Sequence, residues 1–271
     1  LVRQGLDQVT VQRQLAAGLI GAAEHLNIAT VSVNFLPEAE WDLLEDADFL
    51  KRADQQYHWY NQGYGGFDDF LDDLSSRKRK TIRRERRRAL ENGIEIEWIT
   101  GADLTEAHWD AFYQFYTDTG SRKWGEPYLN RQFFSLITES MAERTLLIMC
   151  RREGRYIAGA LNLIGAEALF GRYWGCIEDH PFLHFEICYY QAIDYAIQHG
   201  LSRVEAGAQG PHKIARGYRP TQTHSAHYIR DPGFRDAVAN YLEHERKKVG
   251  QDIEYLAERG PFRKGERQSL D

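Results

Sequence analysis

The sequence contains few cysteines and no long hydrophobic run, and each shortage excludes a class of protein. The three cysteines are odd in number and lie far apart without CxxC spacing (Cys150, Cys176 and Cys188), which indicates neither a disulfide framework nor a zinc site. No apolar stretch reaches the roughly 20 residues of a membrane-spanning helix. These shortages predict a soluble protein without a transmembrane segment, and we expect it in the reducing cytoplasm.

The length and composition are those of an ordinary globular chain. With 271 residues, 42% of them hydrophobic and 27% charged, the chain has room for one large domain or two small ones and is not disordered. It begins at Leu1 rather than at methionine, and residues 8–26 already have helical spacing. We therefore expect a piece of a longer protein.

Positive charge is concentrated in one short segment. Residues 77–88 read RKRKTIRRERRR and carry +8, whereas the whole chain carries −6, which leaves −14 for the other residues. Aspartates precede the segment, and this charge order favours a helix. Two interpretations stay open. The helix is a solvated face that pairs with acidic surface, or it binds the phosphates of a nucleic acid or nucleotide-bearing substrate through Arg83, Arg84, Arg86 and Arg87.

The hydrophobic periodicity predicts alternating helices and strands. Within residues 1–76 the predicted elements are helices at 8–26 and 38–46, a β-rich stretch at 28–35 and a short strand at 57–60. From residue 94 onward the predicted elements are a strand, two helices, a three-stranded antiparallel meander, a helix, two further strands and a final helix, at residues 95–99, 105–117, 130–141, 145–151, 156–164, 168–175, 184–199, 203–206, 224–229 and 234–256. This order resembles that of the GNAT acyltransferase fold, which has a mixed central sheet with flanking helices. We therefore predict an α/β (α+β) protein with a GNAT-like acyl-CoA N-acyltransferase fold.

Four segments together resemble one family. They read SSRKRKTIRRERRRALENGIEI, GRYWGC, LHFEICYYQAIDYAI and GAQGPHKIARGY, at residues 75–96, 171–176, 183–197 and 207–218. In these segments the chain is similar to the FemAB-like, GNAT-related N-acyltransferases of bacteria, the peptidoglycan biosynthesis or recognition proteins. Their relatives, the Fem aminoacyltransferases, have two tandem GNAT-like domains and transfer amino acids from aminoacyl-tRNA to peptidoglycan precursors. The resemblance implies that residues 1–76 are the remnant of a first GNAT-like domain and that residues 77–271 form a complete second one.

The resemblance leaves the donor open between acyl-CoA and aminoacyl-tRNA. GNAT enzymes that use acetyl-CoA have a Gly-rich turn, Q/R-x-x-G-x-G/A, whose backbone N–H groups hold the pyrophosphate ahead of a helix. The corresponding junction here, residues 175–183, reads GCIEDHPFL and contains one glycine and two acidic residues. It therefore departs from the turn that binds the CoA diphosphate.

The segment from Glu205 to Lys213, at the C-terminal end of the strand at 203–206, collects the polar groups that acyl transfer to an amine needs. That reaction requires a base for the amine, stabilisation of an oxyanion and a proton for the leaving group. We predict that Glu205, Gln209 and His212 are catalytic, with Glu205 or His212 as the base and Gln209 polarising a carbonyl. Lys213 and Arg216 would bind a phosphate or carboxylate. The alternative is a structural Gly-rich turn, which is stabilised by ion pairs of glutamate with lysine or arginine.

Further substrate-binding residues are expected around the helix that follows the meander. His184 and Glu186 open this helix, and Tyr173, Trp174 and Tyr189 are candidates to line an acceptor groove. Each has a structural alternative, because a glutamate near a helix start is stabilised by the helix dipole and aromatic residues at these spacings also form cores. We predict no metal site, since a proline breaks the helix that would align the nearest pair of histidines.

The function we predict is N-acyl transfer. A carrier, either acyl-CoA or aminoacyl-tRNA, gives an acyl or aminoacyl group to an amine-bearing small molecule or to a peptidoglycan precursor. The alternative is a non-catalytic recognition module that binds a peptidoglycan precursor or RNA.

Overall fold

The computed structural model describes Gly5, residues 7–123 and residues 127–263. It divides into two compact units, of which unit 1 comprises Leu1–Gln56 with Pro220–Glu258 and unit 2 comprises Tyr57–Arg219 with Arg259–Asp271. This division differs from the boundary at residues 76 and 77 that the family resemblance implies. That residues 1–76 are the remnant of a first GNAT-like domain stays a prediction.

The α-helices and strands of the described residues alternate along the chain. In order they are α1 (Gln8–His25), β1 (Thr30–Leu36), α2 (Glu38–Asp46), β2 (Leu50–Tyr60), α3 (Phe67–Asp73), α4 (Ser76–Ala89), β3 (Ile94–Thr100), α5 (Glu106–Lys123), α6 (Arg131–Met141), β4 (Thr145–Arg152), β5 (Arg155–Ile164), β6 (Ala168–Cys176), α7 (Leu183–Phe185), α8 (Gln191–Gln198), β7 (Arg203–Glu205), β8 (Arg219–Ile229) and α9 (Pro232–Ala257). The predicted mixed α/β class and the predicted antiparallel meander are confirmed.

Unit 1 is a small sheet with helices packed against it. Its strand order is β1-β8-β2, and β1 pairs antiparallel with β8 from Thr30 opposite Ile229 onward. The ring of Trp41 on α2 stacks on His224 at a centroid distance of 4.3 Å, and its Nε1 donates to the carbonyl of Ser225 at 2.8 Å. These contacts hold α2 against β8. Trp41, which the helical spacing of α2 directs inward, is therefore part of the core of unit 1.

Unit 2 contains the predicted meander and a parallel strand pair. Strands β3, β4, β5 and β6 are antiparallel neighbours, β7 is parallel to β6, and residues 57–60 of β2 are antiparallel to β7. The β6–β7 pairing extends only from Ala168 opposite Arg203 to Phe170 opposite Glu205. Because β7 ends there and β6 continues to Cys176, the sheet opens beside the second half of β6.

One hydrophobic core of unit 2 lies between the sheet and helices α5 and α6. Trp109, Phe112 and Phe115 from α5 and Phe134 from α6 are fully buried in it. Gly175 on β6 permits the close approach of α5, since a Cβ atom there would lie 2.3 Å from the carbonyl oxygen of Phe115. The aromatic face that the spacing of residues 105–117 predicts is therefore the face that packs on the sheet.

The helix predicted at residues 184–199 is interrupted. After the short α7, residues Glu186–Tyr190 form a π-helical turn, and α8 begins at Gln191. A π-turn contains one residue more than an α-turn, and such turns occur frequently at functional sites. The extra residue changes which side chains face the opening beside β6.

Candidate active site beside strand β6

Two adjoining cavities of unit 2 lie where the sheet opens. Their volumes are about 130 Å³ and about 730 Å³. The smaller one is also lined by Asn162, Cys188 and Ala206, and the larger one by Tyr116, Gln209, His212 and Lys213. Both are lined by Arg172, Tyr173, Trp174, His184 and Tyr189. The structure thus brings together seven of the predicted site residues, namely Tyr173 and Trp174 of β6, His184 of α7, Tyr189 of the π-turn, and Gln209, His212 and Lys213 of the segment after β7.

His212 and Tyr189 form the central polar contact of the larger cavity. The Tyr189 hydroxyl lies 3.0 Å from His212 Nε2. Part of the imidazole is exposed, but desolvation of the remainder, followed by the positive charges of Arg216 and Lys213, lowers the pKa of His212 below its ordinary value. Burial raises the pKa of the Tyr189 hydroxyl. At neutral pH the phenol therefore carries its proton and the neutral imidazole can accept it.

The loop that carries His212 depends on glycine. Gly207 and Gly210 have φ values of +75° and +99°, in the region that only glycine adopts without strain. A 3₁₀ helix then runs over Pro211–Arg216 and ends at Gly217. The imidazole of His212 folds back over Gly210, where a Cβ atom would lie 2.4 Å from His212 Cε1. This loop therefore presents His212 to the cavity.

Lys213 lines the larger cavity and also fastens the loop. Its Nζ donates to the carbonyls of Ala206 and, at 3.3 Å, Gly207, and it lies 5.9 Å from the ring centroid of Tyr189. Desolvation lowers the pKa of the Lys213 ammonium to about 8. The predicted role in binding a phosphate or carboxylate is open to it, although part of its donor capacity is used by the backbone.

Glu205, the other candidate base, interacts with residues that are not among the described lining residues of the two cavities. Its carboxylate accepts from Arg203 Nε at 2.8 Å and lies 3.7 Å from His58 Nε2. It stands outside the described lining of both cavities. Of the three residues predicted as catalytic, the structure brings Gln209 and His212 to the cavity, and this placement favours His212 over Glu205 as the base.

Two residues predicted to bind substrate take part in buried ion pairs. Glu186 is fully buried and accepts from Arg86 Nε at 3.1 Å, and burial raises the pKa of its carboxyl. Arg216 donates through Nη2 to both carboxylate oxygens of Glu85, at 3.1 and 3.0 Å. Neither Glu186 nor Arg216 is among the described lining residues of the two cavities, and that they bind substrate stays a prediction.

The four arginines of α4 that were predicted to bind phosphate divide into two kinds. Arg83 pairs with Asp68 at 2.8 Å, and Arg86 pairs with Glu186 and Asp194. Arg84 and Arg87 are exposed and have no ion pair with any other described residue. The same holds for Arg77 and Lys80, and spacings of three, four and three residues place all four along one side of the helix. We call Arg77, Lys80, Arg84 and Arg87 the cationic stripe.

Several lining residues carry no clear signal in the sequence. The hydrophobic spacing of α5 assigns Tyr116 to the core, yet it lines the larger cavity, and its hydroxyl accepts from the backbone N–H of Leu129 at 3.1 Å. Arg172 lies on β6 and lines both cavities, and the π-turn brings Cys188 to the smaller one. Among the described lining residues there is no acidic side chain, so the cavities suit a ligand that carries negative charge.

Comparison with known proteins identifies the family. A family profile described as FemAB-like, peptidoglycan biosynthesis/recognition, matches residues 1–264. The chain belongs to the FemAB-like family. The resemblance predicted from the four sequence segments is therefore confirmed.

Three solved structures have a similar fold at low sequence identity. FemX has 13% identity and a TM-score of 0.60, with 86% of this chain and 80% of FemX covered. The C-terminal domain of a putative lysylphosphatidylglycerol synthetase from Agrobacterium fabrum has 10% identity and a TM-score of 0.62, with coverage of 86% and 76%. A tandem GNAT protein from the clavulanic acid biosynthesis pathway has 12% identity and a TM-score of 0.50, with coverage of 86% and 74%. No curated protein matches the sequence.

Neither a membrane-spanning helix nor a metal cluster is found among the described residues. In that part of the chain, no helix is both long enough and apolar enough to cross a bilayer. Within the same residues, no three His, Cys, Asp or Glu side chains converge where a metal ion could bind.

Proposed function

We propose that this FemAB-like protein transfers an acyl or aminoacyl group from a carrier to an amine, with the Tyr189–His212 pair moving the proton. The observation that carries the proposal is the 3.0 Å contact between the Tyr189 hydroxyl and His212 Nε2 at the cavity beside β6. The amine nitrogen attacks the acyl carbon, and the bond from that carbon to the carrier breaks. The Tyr189 oxygen takes the amine proton while its own proton passes to His212 Nε2, and the reverse transfer protonates the leaving group.

Gln209 and the nearby cations have supporting roles in this reaction. The amide of Gln209 donates to the carbonyl oxygen as it gains charge. Arg172 and Lys213 offer positive charge to an anionic group of the substrate, and no described lining residue opposes them with negative charge. In a family described by peptidoglycan biosynthesis or recognition, the acceptor is the amine of a peptidoglycan precursor.

The donor we favour is an aminoacyl-tRNA rather than an acyl-CoA. The cationic stripe supports this choice, because a row of exposed cations binds a polyanion through its phosphates. The junction after β6 also supports it. Glu178 lies where a CoA-binding turn has glycines, and its ion pairs with Arg152 and Arg155, at 2.8 and 3.1 Å, use the cations that a diphosphate would need.

The test is a transfer assay with labelled aminoacyl-tRNA or acyl-CoA and a peptidoglycan precursor peptide. We expect transfer by the wild type, and losses of about 100-fold or more in His212→Ala and about tenfold or more in Gln209→Ala, in line with the removal of a proton-transfer or oxyanion group. His199→Ala and Gln198→Ala, which make the same changes outside the described lining of both cavities, are the matched controls. Undiminished turnover in both His212→Ala and Gln209→Ala would overturn the assignment. Binding of tRNA or precursor without turnover by the wild type would favour a recognition module.

A further inference from the structure

Glu85 is the single acidic residue in the basic segment 77–88, and its side chain points into the protein. Its carboxylate is buried and accepts from two different elements. Arg216 Nη2, at the end of the 3₁₀ helix, donates to both carboxylate oxygens, and the Tyr190 hydroxyl of the π-turn donates to Oε2. Glu85 thus joins the two segments that supply the Tyr189–His212 pair.

Each of the two donors, Arg216 and Tyr190, is linked directly to one member of the Tyr189–His212 pair. Arg216 Nη1 donates to the backbone carbonyl of His212 at 2.9 Å, and its guanidinium carbon lies 3.5 Å from the centroid of the Phe185 ring. Tyr190 is the neighbour of Tyr189 in the π-turn, so the hydrogen bond of its hydroxyl fixes the turn from the buried side. Neither Glu85 nor Arg216 is among the described lining residues of the cavities.

We infer that Glu85 is a positioning residue, which holds the 3₁₀ helix and the π-turn in the register where the Tyr189 hydroxyl meets His212 Nε2. The effect on transfer rests on the proposed function, but the effect on the geometry of the pair does not. A displacement of about 1 Å in a reacting pair can lower a rate by about 100-fold, so a carboxylate that never touches substrate can control turnover.

The variant that tests this is Glu85→Met with Arg216→Met. Replacing both members of a buried ion pair by apolar residues of similar size is often neutral for stability, whereas removing one member leaves an unpaired buried charge. Glu85→Met also leaves the buried Tyr190 hydroxyl without its acceptor, so we expect the double variant to fold with reduced stability while lacking the bond to the His212 carbonyl. Arg152→Met with Glu178→Met is the matched control, because it removes a partly buried ion pair of the same unit whose members lie outside the described cavity linings.

Two readouts separate positioning from stability and from the proposed function. The first is the nuclear Overhauser effect between the Tyr189 ring and His212 Hε1 in protein labelled at histidine and tyrosine, which reports the geometry of the pair whether or not the protein transfers anything. The second is the transfer assay, in which we expect kcat to fall about tenfold or more with KM little changed. The control double variant should keep both values.

The inference is overturned if the folded double variant keeps the Tyr189–His212 signal at wild-type strength. If it loses the signal and keeps kcat, the positioning role stands and the proposed use of the pair in proton transfer fails. If the double variant does not fold, the single variant Glu85→Gln is used instead. Its Tyr189–His212 signal, measured well below its own melting temperature, tests the inference in the same way. The glutamine keeps the shape of the side chain and loses the charge that holds Arg216.

Discussion

Gly207 and Gly210 share a backbone conformation but differ in what surrounds them. Both have positive φ, yet a Cβ atom at Gly207 would meet nothing within 4 Å, whereas one at Gly210 would collide with the His212 ring. Substitutions at the two positions therefore distinguish the effect of backbone strain from the effect of displacing the His212 imidazole.

We expect Gly207→Ala and Gly210→Ala to lower the free energy of unfolding by similar amounts, about 1–2 kcal/mol each, because both place a side chain in the left-handed region. Only Gly210→Ala should also weaken the Tyr189–His212 signal and slow transfer. Urea unfolding gives the first quantity and the labelled protein gives the second. Equal transfer rates in the two variants would contradict the placement of His212.

A second prediction concerns the effect of Lys213 on the pH dependence of stability. Its pKa is about 8 in the folded protein against an ordinary value of 10.5, so between these values the unfolded chain binds more protons than the folded one. The stability contributed by this group therefore rises as the pH increases from about 8 to 10.5, by at most about 3 kcal/mol.

The measurement for Lys213 is the unfolding free energy of the wild type and of Lys213→Met at pH 7 and at pH 10. We expect the wild type to gain stability relative to the variant at the higher pH. The absence of the hydrogen bonds to the Ala206 and Gly207 carbonyls lowers the stability of the variant equally at both pH values, so it drops out of the comparison. A difference that stays constant or shrinks would show that the ammonium is not desolvated.

At the scale of elements, α4 has three distinct sides. One is buried and contains Ile82, Glu85 and Ala89. A second carries arginines that pair with acidic side chains, and the third is the cationic stripe. The sequence interpretations of this helix, as a self-paired face or as a phosphate-binding face, each describe one side of it; the paired side is observed and the phosphate-binding side stays a proposal.

Arg86 and Arg83 lie on the paired side but differ in the burial of their partners. Glu186, the partner of Arg86, is fully buried, whereas Asp68, the partner of Arg83, is exposed. We expect Arg86→Met to lower the unfolding free energy by about 3 kcal/mol at pH 7, since it leaves a buried carboxylate unpaired. Arg83→Met should lower it by no more than about 1 kcal/mol.

The loss of stability caused by Arg86→Met, its stability deficit relative to the wild type, should also depend on pH. The folded-state pKa of Glu186 is already above its ordinary value of 4.5, and loss of Arg86 raises it further. The folded variant then binds the proton more tightly than the unfolded chain does, so its stability deficit relative to the wild type shrinks as the pH falls toward 4.5. Unfolding curves at pH 7 and 5 measure this, and a deficit independent of pH would contradict the buried pair.

The elements that the sequence predicts well are those with strong local signals. Helix α2 has the predicted bounds, and each meander strand agrees to within one residue at either end. Strand β2 begins seven residues before the predicted start at Tyr57, because its first part is polar and obtains its order from pairing within the sheet. The π-turn and the Glu85–Arg216 pair were not predictable, since the first leaves the helical pattern intact and the second joins residues 131 positions apart.

At the scale of the whole molecule, the charge distribution matters more than the net charge. The protein carries −6, yet its cationic stripe presents four exposed positive charges along one helix. A polyanion would therefore bind locally despite overall repulsion, and this binding would weaken steeply with salt because it releases counterions.

We expect Arg84→Gln with Arg87→Gln to weaken binding of tRNA and to reduce the slope of log K against log salt by about two, one for each phosphate that is no longer neutralised. Filter binding at several salt concentrations measures the slope. Arg79→Gln with Arg83→Gln removes the same charge from the same helix, but those arginines are paired with Asp72 and Asp68, so it serves as the control. An equal reduction in both double variants would show that only net charge matters.

The π-turn at Glu186–Tyr190 also has a genetic consequence. Because it holds one residue more than an α-turn, loss of a single codon within it would leave an uninterrupted α-helix, with the buried face of α8 (Ile193 and Ile197) intact. The residues before the deleted codon would turn by about 100° around the axis relative to those after it. We therefore expect that a homologue with this one-codon deletion keeps the fold and lacks the hydrogen bond between the tyrosine and the histidine.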